Sequence, residues 1–268
     1  MERKQLLEKI IIEAGDEIMK LYGKKHEMHI KTNDENFATE ADIRSESLII
    51  NSIKKHFPKD GIISEESSDY NIKSDYVWVI DPLDGTWNFA NGIPIFSVLI
   101  AVIKKDSIKS TKNESKKDEV ILGGAYFPYM NDFYFAEKGK GAYKNKIKIT
   151  CSDKTNLDNA RGTGFVQLGG EYKKQMLKFS KAMADHRMWH TEFGCGAYDM
   201  MLVASGKSHY FITQRDNLWD VAAPSIILKE AGCRVTYINN EDWVPQKDTD
   251  MITANPQIHK QIMNIIGK

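Results

Sequence analysis

The segment Tyr76-Val77-Trp78-Val79-Ile80 constrains this chain more than any other, because it runs directly into Asp81-Pro82-Leu83-Asp84-Gly85-Thr86. Its β-branched and aromatic side chains read as a buried strand. Two carboxylates therefore arrive at the end of a strand that wants to be covered. If the strand continued, positions 81 and 84 would point to opposite faces, since side chains alternate with a period of two. Pro82 fixes its own φ and Gly85 can adopt positive φ, so a tight turn is expected to bring both carboxylates to one point. The same turn would let the Leu83 carbonyl face inward, and Thr86 adds a hydroxyl. Two carboxylates, one carbonyl and one hydroxyl make an all-oxygen donor set, the kind that suits Mg2+. With no imidazole or thiolate in the stretch, zinc is disfavoured. The alternative is a solvated acidic turn, because Asp-Pro and Asp-Gly are ordinary turn dipeptides.

Other acids favour the first reading. Glu65-Glu66 follows the short strand Ile62-Ile63, again at a strand's end. Asp42 lies in Thr39-Glu40-Ala41-Asp42, at the expected start of a helix, where a carboxylate also reads simply as a cap. Asp220, in Trp219-Asp220-Val221-Ala222-Ala223, is expected to open another helix. Pro224 is taken to support that placement, since proline is tolerated near a first turn.

The rest of the chain reads as mixed helix and strand. Leu6, Leu7, Ile10, Ile11, Ala14, Ile18 and Leu21 form one apolar helix stripe that ends near Gly23. A second helix is expected from Ala41 to Phe57, burying Ile43, Leu48, Ile50 and Ile53. Ser97 to Ile103, Val120 to Ala125 and Phe133 to Ala136 read as strands. The lysine-rich stretch from Lys104 to Glu119 between the first two reads as a long solvated hairpin loop. Farther on, Tyr198 to Ala204, Ala222 to Ala231 and the residues after Pro256 read as helices. His209 to Thr213, Arg234 to Ile238 and Asp250 to Thr253 read as strands. This order implies layers of sheet and helix in two lobes, an N-terminal α+β lobe over 1–150 and a C-terminal α/β lobe over 151–268.

Composition matters mainly for what it excludes. The chain has 268 residues, with 37 basic against 37 acidic side chains, so no global charge invites nucleic acid. Its longest apolar run, Ile93 to Ile103, is too short to span a bilayer. No apolar signal core follows the N-terminus, and a soluble, cytoplasmic protein is expected. Three widely spaced cysteines, Cys151, Cys195 and Cys233, fit neither a disulfide framework nor a Cys-x-x-Cys zinc site, and read as buried free thiols. His186 and His190 could share a helix face, but lack the His-Glu-x-x-His order of zinc-binding helices.

Glu65-Glu66, Asp81-Pro82-Leu83-Asp84-Gly85-Thr86 and Trp219-Asp220-Val221-Ala222-Ala223 together resemble the signature set of the inositol monophosphatase family, within the magnesium-dependent, lithium-sensitive phosphatases. The resemblance implies a layered α/β/α/β/α sandwich with mixed sheets. It also implies a phosphoric monoester hydrolase that uses direct attack of a metal-activated water, with two or three Mg2+ per site. Glu65, Asp81 and the Leu83 carbonyl would hold the first ion. Asp81, Asp84 and Asp220 would hold the second, and a weaker third would lean on Glu65. Thr86, with Asp42 or Glu65, would orient the water. Gly85 and Thr86 N–H groups would cradle the phosphate, at the start of a short helix. On the substrate side it implies Gly194, Cys195, Gly196 and Thr213, with Asp84 and Asp220, and nearby Thr163-Gly164-Phe165. The partners implied are a small phosphorylated metabolite and a second copy of the chain, with neither nucleic acid nor membrane.

The resemblance is thinnest at the substrate. Inositol-specific members carry a glutamate shortly before Trp-Asp, where this chain has Thr213-Gln214-Arg215. Histidinol phosphate, a fructose bisphosphate or other sugar phosphate, and a nucleotide 3'-phosphate stay open as substrates. Two other classes fit less well. The Asp-x-Asp-Gly-Thr motif of haloacid dehalogenase-type phosphatases differs in spacing, its acids being two apart. A non-catalytic regulatory homologue would usually have lost a metal acid, and none is missing here.

Overall fold

The computed structural model describes residues 1–24, 29–33, 36–105, 118–166, 168–246 and 249–267. In chain order it runs α1 (Arg3–Met19), β1 (His29–Asn33), β2 (Asn36–Ala38), α2 (Glu40–His56), β3 (Gly61–Ser64), β4 (Tyr76–Asp84), α3 (Thr86–Ala90), β5 (Ser97–Lys104), β6 (Glu119–Phe127), β7 (Asp132–Glu137), β8 (Ala142–Lys144) and β9 (Ile147–Ile149). It continues with β10 (Arg161–Gly164), α4 (Lys173–Asp185), β11 (Trp189–Thr191), α5 (Gly196–Ala204), β12 (Tyr210–Asp216), α6 (Leu218–Glu230), β13 (Arg234–Thr236), β14 (Thr249–Ala254) and α7 (Pro256–Ile266).

Strands β3 to β9 make a seven-stranded sheet in sequential order, antiparallel except for the β3–β4 pair. The other large sheet has five strands in the order β11-β10-β12-β14-β13, and β1 pairs with β2 as a separate ribbon. Side-chain alternation distributes three cores among these sheets. Trp78, Ile80, Val98, Ile100 and Val102 pack under α1 and α2, against Leu7, Ile11, Ile49 and Ile53. Their neighbours Val77, Val79, Leu99 and Ala101 face the opposite way, onto Met200, Val203, Val221 and Ile227 of α5 and α6. Phe211 and Met251 of the five-stranded sheet close that central layer from the far side. Tyr210, Ile212 and Ile252 then turn outward to Phe179 of α4 and Ile258 and Ile262 of α7. The result is the expected five-layer α/β/α/β/α sandwich. The chain crosses from one sheet to the other between Ile149 and Arg161, yet α5 and α6 lie in a core shared by both.

The central layer is thin where β6 meets α6. A Cβ on Gly123 would lie 2.4 Å from Ile226 Cγ2 and 2.7 Å from the Ala223 carbonyl, so only glycine permits this approach.

Several local expectations need correcting. Ile43 is exposed rather than buried, and Leu48 and Ile50 are only partly covered. The buried face of α2 is Ala41, Asp42, Ser45, Glu46, Ile49 and Ile53. Its polar members are held inward, Asp42 and Ser45 by bonds to the end of β4 and Glu46 by bonds to the turn after β3. Asp81 and Asp84 are not brought together by a tight turn. Strand β4 instead continues through both, with Asp81 opposite Leu99 and Asp84 opposite Ser97. Three steps on β4 against two on β5 make a β-bulge, and the extra residue restores parity. Pro224 sits inside α6, in its second turn rather than its first. His186 ends α4 while His190 lies in β11, so the two share no helix. Cys151 is only half-buried, unlike Cys195 and Cys233. The hairpin expectation for 104–119 falls mostly outside the described residues, although its ends pair as Lys104 opposite Glu119.

Candidate active site

Residues paired across a sheet share a face, so Asp81 and Asp84 both point with Leu99 and Ser97 into the central layer. The five-stranded sheet repeats the device. Thr213 lies opposite Met251 and Asp216 opposite Thr249, again three steps against two. The bulge turns Thr213 and Asp216 toward the same layer from the other side. Between the two bulges stand the N-terminal ends of α5 and α6.

Asp84 is held by the first of these ends. Its Oδ2 accepts the Ala197 N–H at 2.8 Å and the Cys195 thiol at 3.0 Å, with Ser97 Oγ at 3.4 Å. Burial raises its pKa, and the donors from Cys195, Ala197 and Gly196 oppose the rise. The donors expected at the substrate wall around 195–197 are thus spent largely on Asp84. Gly194, with φ of 70°, packs so close that a Cβ would lie 2.9 Å from Asn88 Oδ1. Asn88 in turn donates to the carbonyls of Ile95 and Phe193, tying α3 to this loop.

Asp220 sits in the first turn of α6, where its Oδ2 accepts the Asn217 N–H at 2.7 Å in a capping box. Asp81 is fully buried and accepts the Leu83 N–H at 3.0 Å. Burial, followed by repulsion from Glu65, Asp84 and Asp220, pushes its pKa well up. Asp220 is pushed well up in the same way, by burial and then by Asp216, with Asp84 and Glu65 adding to it. Four of the expected acids therefore feel one another's charge. Among the described residues, however, no three His, Cys, Asp or Glu side chains are drawn into a ready-made metal cage. The donor set still fits a hard cation: it is all oxygen, Asp81 at its centre is buried, and the neighbouring carboxylates of Glu65, Asp84 and Asp220 raise the Asp81 pKa further.

Helix α2 supports this arrangement with its polar stripe. Asp42 Oδ2 accepts the Thr39 N–H and hydroxyl at 2.7 and 2.6 Å, which is its capping role. Its Oδ1 faces the Thr86 hydroxyl at 3.2 Å, and that hydroxyl also lies 2.9 Å from the Leu83 carbonyl. One proton cannot serve both acceptors, so Thr86 can switch between them. Ser45 Oγ donates to the Pro82 carbonyl at 2.9 Å. Glu46 accepts from Ser64 Oγ, from the Glu66 N–H at 3.2 Å and from Ser67 Oγ at 3.1 Å, which fixes the turn carrying Glu65. Thr86 begins α3 just after Gly85, whose φ of 84° no side chain would favour.

Sequence reading missed Glu46 and Asp216. Burial raises the Asp216 pKa to about 7; a hydrogen bond from Thr213 opposes the rise and the charge of Asp84 adds to it. The Thr213-to-Asp216 spacing would have been informative had the bulge been foreseen. Asp199, inside α5, is also buried, and its Oδ1 has no hydrogen-bond partner among the described residues. Burial lifts its pKa to about 8. Thr163 donates to the Asp199 carbonyl at 3.1 Å, whereas Phe165 is exposed.

Comparison with known proteins agrees with this layout. The family model described as inositol monophosphatase family matches residues 2–267. The chain is 29% identical over 270 residues to the fructose-1,6-bisphosphatase/inositol-1-monophosphatase of Thermotoga maritima, covering 100% of this chain and 97% of that protein. It is 33% identical over 262 residues to the Nus factor SuhB of Pasteurella multocida, covering 94% and 91% respectively. The solved Thermotoga maritima IMPase superposes with a TM-score of 0.83 at 30% identity, over 100% of this chain and 97% of that one.

Proposed function

Because the chain belongs to the inositol monophosphatase family, we propose that it is a Mg2+-dependent phosphomonoesterase that hydrolyses the ester of a small polyhydroxylated phosphate by direct attack of water. The observation that carries this reading is the mutual electrostatic strain among buried Asp81 and its half-buried neighbours Asp84 and Asp220, with Glu65 beside them. Such strain is relieved by divalent cations. Glu65, Asp81 and the Leu83 carbonyl would hold one ion, and Asp81, Asp84 and Asp220 a second, with Glu65 the natural anchor for a third. When bound, such ions lower the pKa of water and stabilise the departing oxygen.

The chain's own residues supply the rest. Thr86, placed between Asp42 and the Leu83 carbonyl, can accept a proton from an incoming water while passing its own to Asp42. The first N–H groups of α3 lack partners within the helix and suit a phosphate oxygen. Asp216, steadied by Thr213, offers a carboxylate to substrate hydroxyls, the charged acceptor that Thr213 itself does not supply. This supports a sugar or inositol phosphate over histidinol phosphate or a nucleotide 3'-phosphate. Lithium sensitivity, a cytoplasmic location and a homodimer belong to the same reading.

Relatives named Nus factor SuhB support a second reading, a binding or regulatory protein. One experiment separates the two. Phosphate release from p-nitrophenyl phosphate, inositol 1-phosphate, fructose 1,6-bisphosphate, histidinol phosphate and a nucleotide 3'-phosphate is measured with Mg2+ and with chelator. Mg2+-dependent turnover that favours the polyol esters supports the proposal. No turnover on any of them overturns it in favour of the binding protein.

A further inference from the structure

The three thiols occupy different surroundings. Cys195 is sealed, with 2% exposure, and donates to Asp84 at 3.0 Å. Burial and that carboxylate hold it firmly as a thiol. Cys151 and Cys233 lie together at the other end of α6, away from the acids. The Cys151 N–H donates to the Ala231 carbonyl at 2.9 Å, and the Cys233 N–H donates to the Leu228 carbonyl at 3.0 Å. Between them Gly232, at φ of 92°, turns the chain back, and Cys151 Sγ lies 3.6 Å from where its Cβ would be. The two thiols are near enough for each to shift the other's titration.

We propose that Cys151 and Cys233 are a reversible dithiol–disulfide pair, closed by a low-molecular-weight disulfide and reopened by a thiol reductant. Cys151 is half-buried and reachable, and its contact with Cys233 brings its pKa down to about 7, so it is the attacking thiol near neutral pH. Cys233 lines a cleft of about 880 Å³, which gives room for a tripeptide leaving group; the basic and acidic residues of its wall pair with one another, as Arg234 does with Asp242. In the first step the Cys151 thiolate attacks one sulfur of glutathione disulfide, whose S–S bond breaks, and one glutathione thiolate leaves. In the second, Cys233 gives its proton to the departing thiolate or to water and attacks the Cys151 sulfur, expelling the second glutathione. Two protein thiols are oxidised by two electrons, and one glutathione disulfide is reduced to two glutathiones. The bridge would tie the segment entering β10 to the C-terminal end of α6, whose other end carries Asp220.

The test takes the full reduced chain, folded, with excess glutathione disulfide at pH 7.5, followed by acid quench, alkylation, non-reducing digestion and mass spectrometry. The expected product is one intramolecular peptide pair joining 151 and 233, with Cys195 alkylated and dithiothreitol reversing the link. Cys233→Ser should leave Cys151 as a persistent glutathione adduct, and Cys151→Ser should slow the loss of Cys233 at least tenfold. The wild-type result stands alone if either variant misfolds. Recovery of Cys151 and Cys233 as alkylated thiols overturns the proposal. So does a stable Cys151 adduct in the wild-type chain, a link between chains, or consumption of Cys195 first.

Discussion

At the scale of single residues, Asp84 and Asp216 separate chemistry from recognition. Asp84 is the acid that the N-terminal end of α5 addresses, and its Oδ2 is already aimed by Ala197 and Cys195. Asp84→Asn keeps the size and one acceptor, so the far-UV spectrum and melting cooperativity should be unchanged while kcat falls by about a thousandfold or more. A near-normal rate would remove Asp84 from the mechanism. Asp216→Asn should act differently. KM for a polyol phosphate rises by about tenfold, in keeping with one lost charged hydrogen bond, while p-nitrophenyl phosphate turnover barely moves. Equal losses on both substrates would instead make Asp216 part of the cation site. Much of this scale was legible in sequence: Asp42, Glu65, Asp81, Asp84, Thr86 and Asp220 could all be named. Asp216 was not, because an acid's value depends on which face it reaches, and a bulge decides that.

At the scale of elements, α2 is the clearest lesson. Its apolar residues suggested a face through Ile43, yet Asp42, Ser45 and Glu46 turn inward because the strand end and the Glu65 turn offer them partners. A hydrophobic stripe can be read from spacing, but a polar face that points inward cannot. Glu46→Ala leaves Ser64, Ser67 and the Glu66 N–H short of an acceptor in a mostly buried place. We expect a stability loss of about 1–3 kcal/mol by urea denaturation. A parallel drop in kcat that Glu46→Gln largely restores would identify positioning of Glu65, whereas unchanged stability and rate would show that the turn holds itself. The bulges in β4 and β12 were equally unreadable. Proline and glycine announced some departure from a regular strand, but not whether it would be a turn or an inserted residue.

At the scale of the whole molecule, the layered sandwich followed from strand and helix order, while the sharing of the central layer between both sheets emerged only in three dimensions. That layer gathers the protonatable acids, with a consequence for stability. Asp216 and Asp199 hold their protons up to about pH 7 and 8 in the folded chain, against near 4 when unfolded. The folded state thus binds more protons between pH 4 and 8, so stability falls as pH rises through that window. Metal-free protein should melt at lower temperature at pH 8 than at pH 5, and Asp199→Asn should flatten the decline. Millimolar Mg2+ should raise the melting temperature, and more so at pH 8, where the acids are ready to release protons to it. A melting curve indifferent to both pH and Mg2+ would contradict the clustered charges.

The bond from Ala197 to Asp84 joins residues 113 positions apart. During synthesis, the acidic strand end leaves the ribosome long before the helix that receives it exists. A growing chain can complete its first sheet early, but these carboxylates must wait in water until α5 and α6 have emerged. Activity is then the last property the nascent molecule acquires, and a product truncated before residue 196 is inert however well its first half has folded.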